Sequence, residues 1–344
     1  MNDFDLLPVE RQVELVTGVA NAALEDWGMS GAQVELLKHR ENSVFKIVDT
    51  TGQRYVMRVH RAGYHSDLQL RSELRWLHSL RAAGVATTEG VPCTNGATFT
   101  HASTNDLPEG RQCDLLEWVE GAAIGSIEEG VALDESMLPI VYRQVGEQAA
   151  LIHKHGVSWQ PPPEFSLLVW NEDAFFGETG TISGRFWDLQ SLTQAQLELL
   201  QGAKAICAGA MAAFGKTSDR WGLVHGDFLP ENLFWDGEQI RLIDWDDTGY
   251  GWHVYDFATA MFPHLGQPSF DIALGAMVEG YRVHRPLPDE HIEMLPILIM
   301  ARVLSYVGWV HSRGELGKPY EQMAVGIACH LAEELIAAQG GDTR

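Results

Sequence analysis

His225-Gly226-Asp227-Phe228-Leu229-Pro230-Glu231-Asn232, followed by Ile243-Asp244-Trp245-Asp246, is the stretch that decides how this chain reads. Asp227 and Asn232 stand five apart in a segment holding Gly226 and Pro230, which reads as a loop. The loop runs into two short strand-like runs, 232–235 and 239–243, around the turn Asp236-Gly237. Two acids and a carboxamide therefore converge from a loop and a strand end. Carboxylate and amide oxygens are hard ligands suited to Mg²⁺, which takes one or two carboxylates plus substrate phosphates. The remaining acid is free to orient a hydroxyl and accept its proton, the arrangement that phosphoryl transfer requires. Any one of these acids alone reads better as a turn cap. A fixed H-G-D-x-x-x-x-N pattern has odds of roughly 0.002 in a chain this long at 1 in 20 per position, so the set reads as functional.

Upstream, the first thirty residues show helical spacing in Leu6, Leu7, Val13, Val16, Val19 and Ala20. Short β-branched or aromatic runs follow at 34–37, 44–48 and 55–59, the last two flanking the turn Asp49-Thr50-Thr51-Gly52. Leu70, Leu74, Leu77 and Leu80 form a helical stripe with Ser66 as N-cap. Strands are expected at 98–102 and 112–119, separated by a loop over 105–110. Helical periods then dominate at 134–155, 193–214, 268–284, 289–311 and 318–338. The pattern is α+β: a small antiparallel sheet with one helix, then a mainly helical remainder, two lobes with a cleft between them. Residues 158–190 crowd Trp159, Phe165, Trp170, Phe175, Phe176, Phe186 and Trp187 into a segment with little periodicity, a lid or a wrapped surface segment.

HGDFLPEN and IDWDD resemble the catalytic and metal-binding motifs of the aminoglycoside phosphotransferase and choline kinase superfamily, closest to its homoserine-kinase-like and stress-response-kinase-like branches. Arg40-Glu41-Asn42-Ser43-Val44-Phe45 is similar to that family's nucleotide-covering hairpin. Tyr55-Val56-Met57-Arg58-Val59 resembles its third strand, and Glu73 sits where its helix glutamate belongs. Leu115-Leu116-Glu117-Trp118-Val119-Glu120-Gly121 resembles the hinge, and Asp256-Phe257-Ala258 the D-x-A segment. The resemblance implies a bilobal protein-kinase-like fold, with an N-lobe over 1–116 and a helical C-lobe over 117–344. It implies ATP and Mg²⁺, with Asp227 as catalytic base and Asn232 and Asp244 on the metal. By the same resemblance Arg58 contacts phosphates and pairs with Glu73. Asn42 and Ser43 help cover the phosphates, and backbone groups of Glu117, Trp118 and Val119 bind adenine. His225 and Asp256 are expected to brace the loop. Two departures stand out: no glycine lies between Gly31 and Gly52, and Arg58 replaces the lysine of protein kinases, offering a bidentate fork instead.

His153 and His155 bracket Lys154 and are expected to cap and pack. Trp245, Trp252 and Trp309 are candidates for a substrate pocket, Trp245 foremost. Asp246 and Asp247 either contact a cationic substrate or solvate the loop. Only eleven residues separate Asp244 from Asp256, and no A-P-E follows, which favours a small-molecule acceptor over a regulated protein kinase. A protein Ser/Thr kinase of the stress-response type is the alternative, and a nucleotide-binding pseudokinase the third reading.

Acids outnumber bases 47 to 24 in 344 residues, for a net charge of −23. Residues 1–120 carry 17 acids and 11 bases, and 121–344 carry 30 and 13. The balance argues against nucleic acid and anionic membrane as partners and leans towards a cationic or zwitterionic small-molecule acceptor. It leaves the oligomeric state open. Four scattered cysteines without a CxxC pair, and an acidic start without an apolar run, point to the cytoplasm. The apolar run 294–310, interrupted by Pro296 and Arg302, reads as a buried helix.

Overall fold

A computed structural model describes residues 3–178, 182–312 and 317–341. It comprises two compact units. The first holds Met1–Gly121, Gln160–Leu167 and Arg241–Ile243; the second holds Ala122–Trp159, Leu168–Ile240 and Asp244–Arg344.

In the first unit α1 (Val9–Ala23) precedes β1 (Gln33–His39), β2 (Ser43–Val48) and β3 (Arg54–Val59). Then come α2 (Asp67–Ala82), β4 (Thr100–Thr104) and β5 (Leu107–Glu117). The strands form one antiparallel sheet in the order β1-β2-β3-β5-β4. Alternation along β2 sends Phe45 and Ile47 inward, where they meet Val16, Val19 and Ala20 of α1. Complete burial of such side chains stabilises by about 1.5–3 kcal/mol each. The sheet thus carries two helices rather than the one expected, because the opening helix has its own apolar stripe. The β2–β3 turn is fixed by Asp49 Oδ1, which accepts from the N–H of Thr51 and of Gln53. Ser66 caps α2 in a reciprocal box: its Oγ accepts from Gln69 N–H, and Gln69 Oε1 accepts from Ser66 N–H. The loop expected over 105–110 is shorter. Thr104 Oγ1 accepts from Leu107 N–H and Leu107 turns inward, so β5 begins there.

The second unit opens with three short strands, β6 (Ala122–Ala123), β7 (Gly125–Ser126) and β8 (Gly130–Val131), then α3 (Leu138–Ser158). Next come β9 (Leu168–Val169), α4 (Glu172–Phe176), α5 (Gln194–Phe214), β10 (Trp221–Val224) and β11 (Leu233–Trp235). After β12 (Ile240–Leu242), whose Arg241 and Leu242 belong to the first unit, come β13 (Gly249–Trp252), α6 (His253–Met261) and α7 (Ser269–His284). The chain closes with α8 (Asp289–Ile292), α9 (Leu295–Ser312) and α10 (Lys318–Gly341). β13 pairs antiparallel with β10 and parallel with β9, while β11 pairs with β6.

Three differences from the sequence reading have physical causes. The single helix expected over 289–311 breaks between Ile292 and Leu295, because the Pro296 ring would clash with the carbonyl four residues back. β13 and α6 gave no signal: Gly-Tyr-Gly-Trp is poor in strand formers, and every residue of α6 is buried, leaving no polar face to set a period. The aromatic segment is a wrapped core layer, with Trp170, Phe175, Phe176 and Phe186 all buried.

Candidate active site

The loop after β10 is held from behind by α6. Asp256, on its first turn, accepts from Gly226 N–H through Oδ1 (2.8 Å) and from His225 N–H through Oδ2 (3.1 Å). Thr259 Oγ1, one turn on, accepts from Phe228 N–H at 3.0 Å. Burial pushes the Asp256 carboxyl up to about 6; the interaction with His225 and the two N–H bonds offset only part of that. Gly226 is required where it stands, since it has φ +87° and a Cβ would lie 2.5 Å from the Asp247 carbonyl oxygen. His153 is not a helix cap. It is fully buried, with Nε2 2.9 Å from Asp256 Oδ2 and Nδ1 3.0 Å from the Tyr281 hydroxyl, and so braces the same loop. His155 is only partly buried.

This frame presents Asp227. Its Oδ2 accepts from Asn232 Nδ2 at 2.9 Å, and its Oδ1 accepts from Arg302 Nη2 at 2.7 Å. Asn232 Nδ2 also donates to the Asp227 carbonyl at 3.0 Å, so the amide orientation is fixed and Oδ1 faces the other way. Asp244 is exposed and has φ +61°, the only positive φ at a non-glycine among the described residues. Such a backbone is sparsely populated by residues other than glycine and clusters at functional sites. Asn232 Oδ1 and the Asp244 carboxylate are each hard oxygen donors. That fits a divalent cation completing its shell with water and phosphate. Among the described residues no cluster of three or more His, Cys, Asp or Glu is set to hold a metal. Asp247 is partly buried near Asp227: loss of solvent first, and then the neighbouring Asp227, push its carboxyl well above the usual range, against the pull of Arg302.

The first unit holds a second charged centre. Arg58 lies directly opposite Asp114 in the β3–β5 register. Its Nε and Nη2 grip the two oxygens of Asp114 (3.0 and 2.5 Å), and its Nη1 reaches Glu73 Oε1 at 2.8 Å. His60 Nε2 sits 3.1 Å from Asp114 Oδ2. Arg58, Glu73, Asp114 and His60 are all buried. Burial pushes the Asp114 carboxyl up, but Arg58 and then His60 more than reverse this, and it ends well below the usual carboxylate range. The expected Arg58–Glu73 pair is therefore present inside a larger network.

Asn42 and Ser43, at the β1–β2 turn, are buried, and Ser43 Oγ contacts His39 Nδ1 at 2.8 Å. At the hinge, the Glu117 main chain is already used: its N–H donates to the Glu89 carbonyl, and its carbonyl accepts from Thr88 Oγ1. The main chain of Trp118 and Val119 makes no hydrogen bond to another described residue. Of the tryptophans, Trp245 and Trp252 are core residues, each 1% exposed, with the Trp245 ring centroid 4.4 Å from that of His225. Trp309 alone of the three is partly exposed, stacked on Tyr306. The sequence reading missed Asp114, His60 and Arg302; for Arg302 the signal was a lone cation in an apolar run.

The family model for the phosphotransferase enzyme family matches residues 33–287. Amicoumacin kinase of Bacillus subtilis (strain 168) is 22% identical over 313 residues, 88% of this chain and 87% of that protein. A homoserine kinase of Rhizobium etli is 26% identical over 239 residues, 67% of this chain and 65% of that one. Among solved structures, a microcompartment-associated aminopropanol kinase superposes with TM-score 0.81 at 28% identity, over 94% of this chain and 98% of that one. The amicoumacin kinase hAmiN, in complex with AMP-PNP, Ca²⁺ and Ami, superposes with TM-score 0.71 at 19% identity, over 88% of each chain. The chain belongs to the phosphotransferase enzyme family, and it is an ATP-dependent kinase acting on a hydroxyl of a small metabolite or antibiotic.

Proposed function

We propose that the acceptor is a small, amine-bearing alcohol, that Asp227 is the base, and that Mg²⁺ is the metal. The observation that carries the reading is the Asp227 carboxylate, with one oxygen on Asn232 and the other on Arg302. A carboxylate fixed at both oxygens is oriented before the acceptor arrives, and each oxygen retains a lone pair for a hydroxyl proton. Asn232 and Asp244 would hold Mg²⁺, which when bound neutralises charge on the phosphates. Asp227 then orients the acceptor hydroxyl for in-line attack and takes its proton. Arg58, pinned by Asp114 and Glu73, offers a fixed positive charge to phosphate.

The amine follows from the face of α9 that carries Arg302. Tyr306 and Trp309 lie one and two turns on, stacked at 10° between planes, and Tyr306 shares a hydrogen bond with Tyr320 of α10. Glu128, between β7 and β8, and Arg302 both act on the Tyr306 hydroxyl. Aromatic faces with an acid nearby suit an ammonium group, and the aminopropanol kinase is a relative whose name fits. A protein acceptor is disfavoured, because the segment after Asp244 is taken up by β13. ATP as co-substrate and four free cysteines support action in the cytoplasm.

The test is an ADP-release screen with Mg·ATP against 1-amino-2-propanol, ethanolamine, homoserine, choline, an aminoglycoside, glycerol and a generic protein. Faster turnover with amino alcohols than with glycerol is the expected result. A preference for glycerol or for the protein would overturn the amine assignment.

A further inference from the structure

Arg302 interrupts an otherwise apolar helix. Ten of its α9 neighbours between Leu295 and Val310 are aliphatic or methionine and buried, and a cation there must be paired. Its guanidinium is mostly buried, at 12% side-chain exposure, and Nη2 lies 2.7 Å from Asp227 Oδ1. Burial lowers the affinity of Arg302 for its proton, but Tyr255, Asp227 and Asp247 more than reverse this, so the positive charge is secure.

The surroundings show why a cation is needed. Asp244, Asp246 and Asp247 from the segment after β12, together with Asp227, bring four carboxyl groups to one neighbourhood, with Tyr255 of α6 beside them. Arg302 offsets part of this negative charge at Asp247. Without it Asp227 would be repelled by its neighbours and would lose one of the two donors that fix its carboxylate oxygens. With it, two donors from separate elements, the loop and α9, fix both carboxylate oxygens.

We infer that Arg302 is a positioning residue for phosphoryl transfer: it acts through Asp227, setting the direction of the carboxylate towards the acceptor hydroxyl, and takes no part in nucleotide binding. The inference rests on Asp227 being the base. It differs from an ordinary loop-to-helix ion pair in what removal should do. A purely structural pair would lower stability and affect every step together. A positioning pair should lower kcat while leaving the KM for ATP alone, and its loss should add nothing once Asp227 is gone.

The experiment uses the full chain as Arg302→Lys, Arg302→Met, Asp227→Asn and the double variant Asp227→Asn/Arg302→Met. In the double variant the stranded charges are removed together, which protects the fold. ADP release is read at saturating Mg·ATP, both with 1-amino-2-propanol and with water as acceptor, and Mg·AMP-PNP binding is read by thermal shift. Arg302→Lys, which keeps charge but loses the planar fork, should lower kcat about 10-fold, and Arg302→Met about 10²-fold. The KM for ATP and the AMP-PNP shift should stay within about twofold of wild type. The double variant should be no slower than Asp227→Asn. Additive losses in the double variant, loss of the AMP-PNP shift in Arg302→Lys, or wild-type turnover in Arg302→Met would each overturn the inference. Wild-type turnover in Asp227→Asn would instead remove the base assignment itself, a separate outcome.

Discussion

Each unit of this protein is organised around an arginine held by carboxylates, and the two arginines are made differently. Arg58 is local to its sheet. Asp114 faces it across the β3–β5 register and Glu73 comes from the helix that follows β3, so the pairing is a by-product of strand alignment. Arg302 is remote: the helix that carries it begins far beyond the loop it serves, and the contact exists only once the helical unit has packed. The Arg58 centre is closed, with both Asp114 oxygens gripped and every member buried. The Arg302 centre stays open, since Asp227 is partly exposed and keeps capacity for a further proton. A closed centre supplies a fixed charge, whereas an open one can carry out proton transfer.

Four measurements test that contrast. Asp227→Asn should lower kcat by about 10²–10⁴ with AMP-PNP binding nearly unchanged, as for loss of a general base. Steady-state kinetics with wild-type turnover would erase the distinction between the centres. Asp114→Ala strands Arg58 in the interior and should lower the unfolding free energy by about 3–5 kcal/mol, read by urea denaturation. A loss below about 1 kcal/mol would mean that the closed centre behaves as an exposed pair.

The third is a pH series of melting temperatures. Burial holds His264 down to about 4, and holds His153 and His253 well below the ordinary histidine value. Their contribution is fully present above about pH 6.5, the unfolded value, and is lost as pH falls towards 4. Asp256, pushed up to about 6, runs the other way: its contribution is present below about pH 4 and lost as pH rises through 6. Asp114, held low, weakens the fold only below about pH 4. Acidification from pH 6.5 to 4.5 should therefore lower the melting temperature through the histidines of the helical unit. His264→Gln should flatten the slope; an unchanged slope would show that His264 is not held neutral. The smallest effect is Ser66→Ala, about 1 kcal/mol of stability from the lost α2 cap, with the KM for ATP unmoved. A changed KM would mean that the cap also sets the position of Glu73.

The same contrast explains what could be read from sequence. The α2 cap, the 49–52 turn and the strand over 44–48 are local, and the structure has them where the residues placed them. Asp227, Asn232 and Asp244 were visible because one loop and one strand end carry them. Asp114 was hidden because its role depends on which strands pair, and Arg302 because nothing in the chain between residues 227 and 302 links the two. Trp245 misled for a related reason: adjacency to Asp244 along the chain says nothing of which face its ring takes, and it lies inward against His225.

β13 leaves its residues little freedom to move. Gly249 has no room for a side chain, since a Cβ would sit 2.4 Å from the Leu168 carbonyl, and the strand is clasped on both sides by β10 and β9. Kinases governed by signals keep slack chain in this place, able to swing between an obstructing and a permissive path. Here the slack has been woven into a sheet. A strand paired along both edges has no second path to take, so it holds the residues on either side of it, Asp247 before and His253 after, in one place.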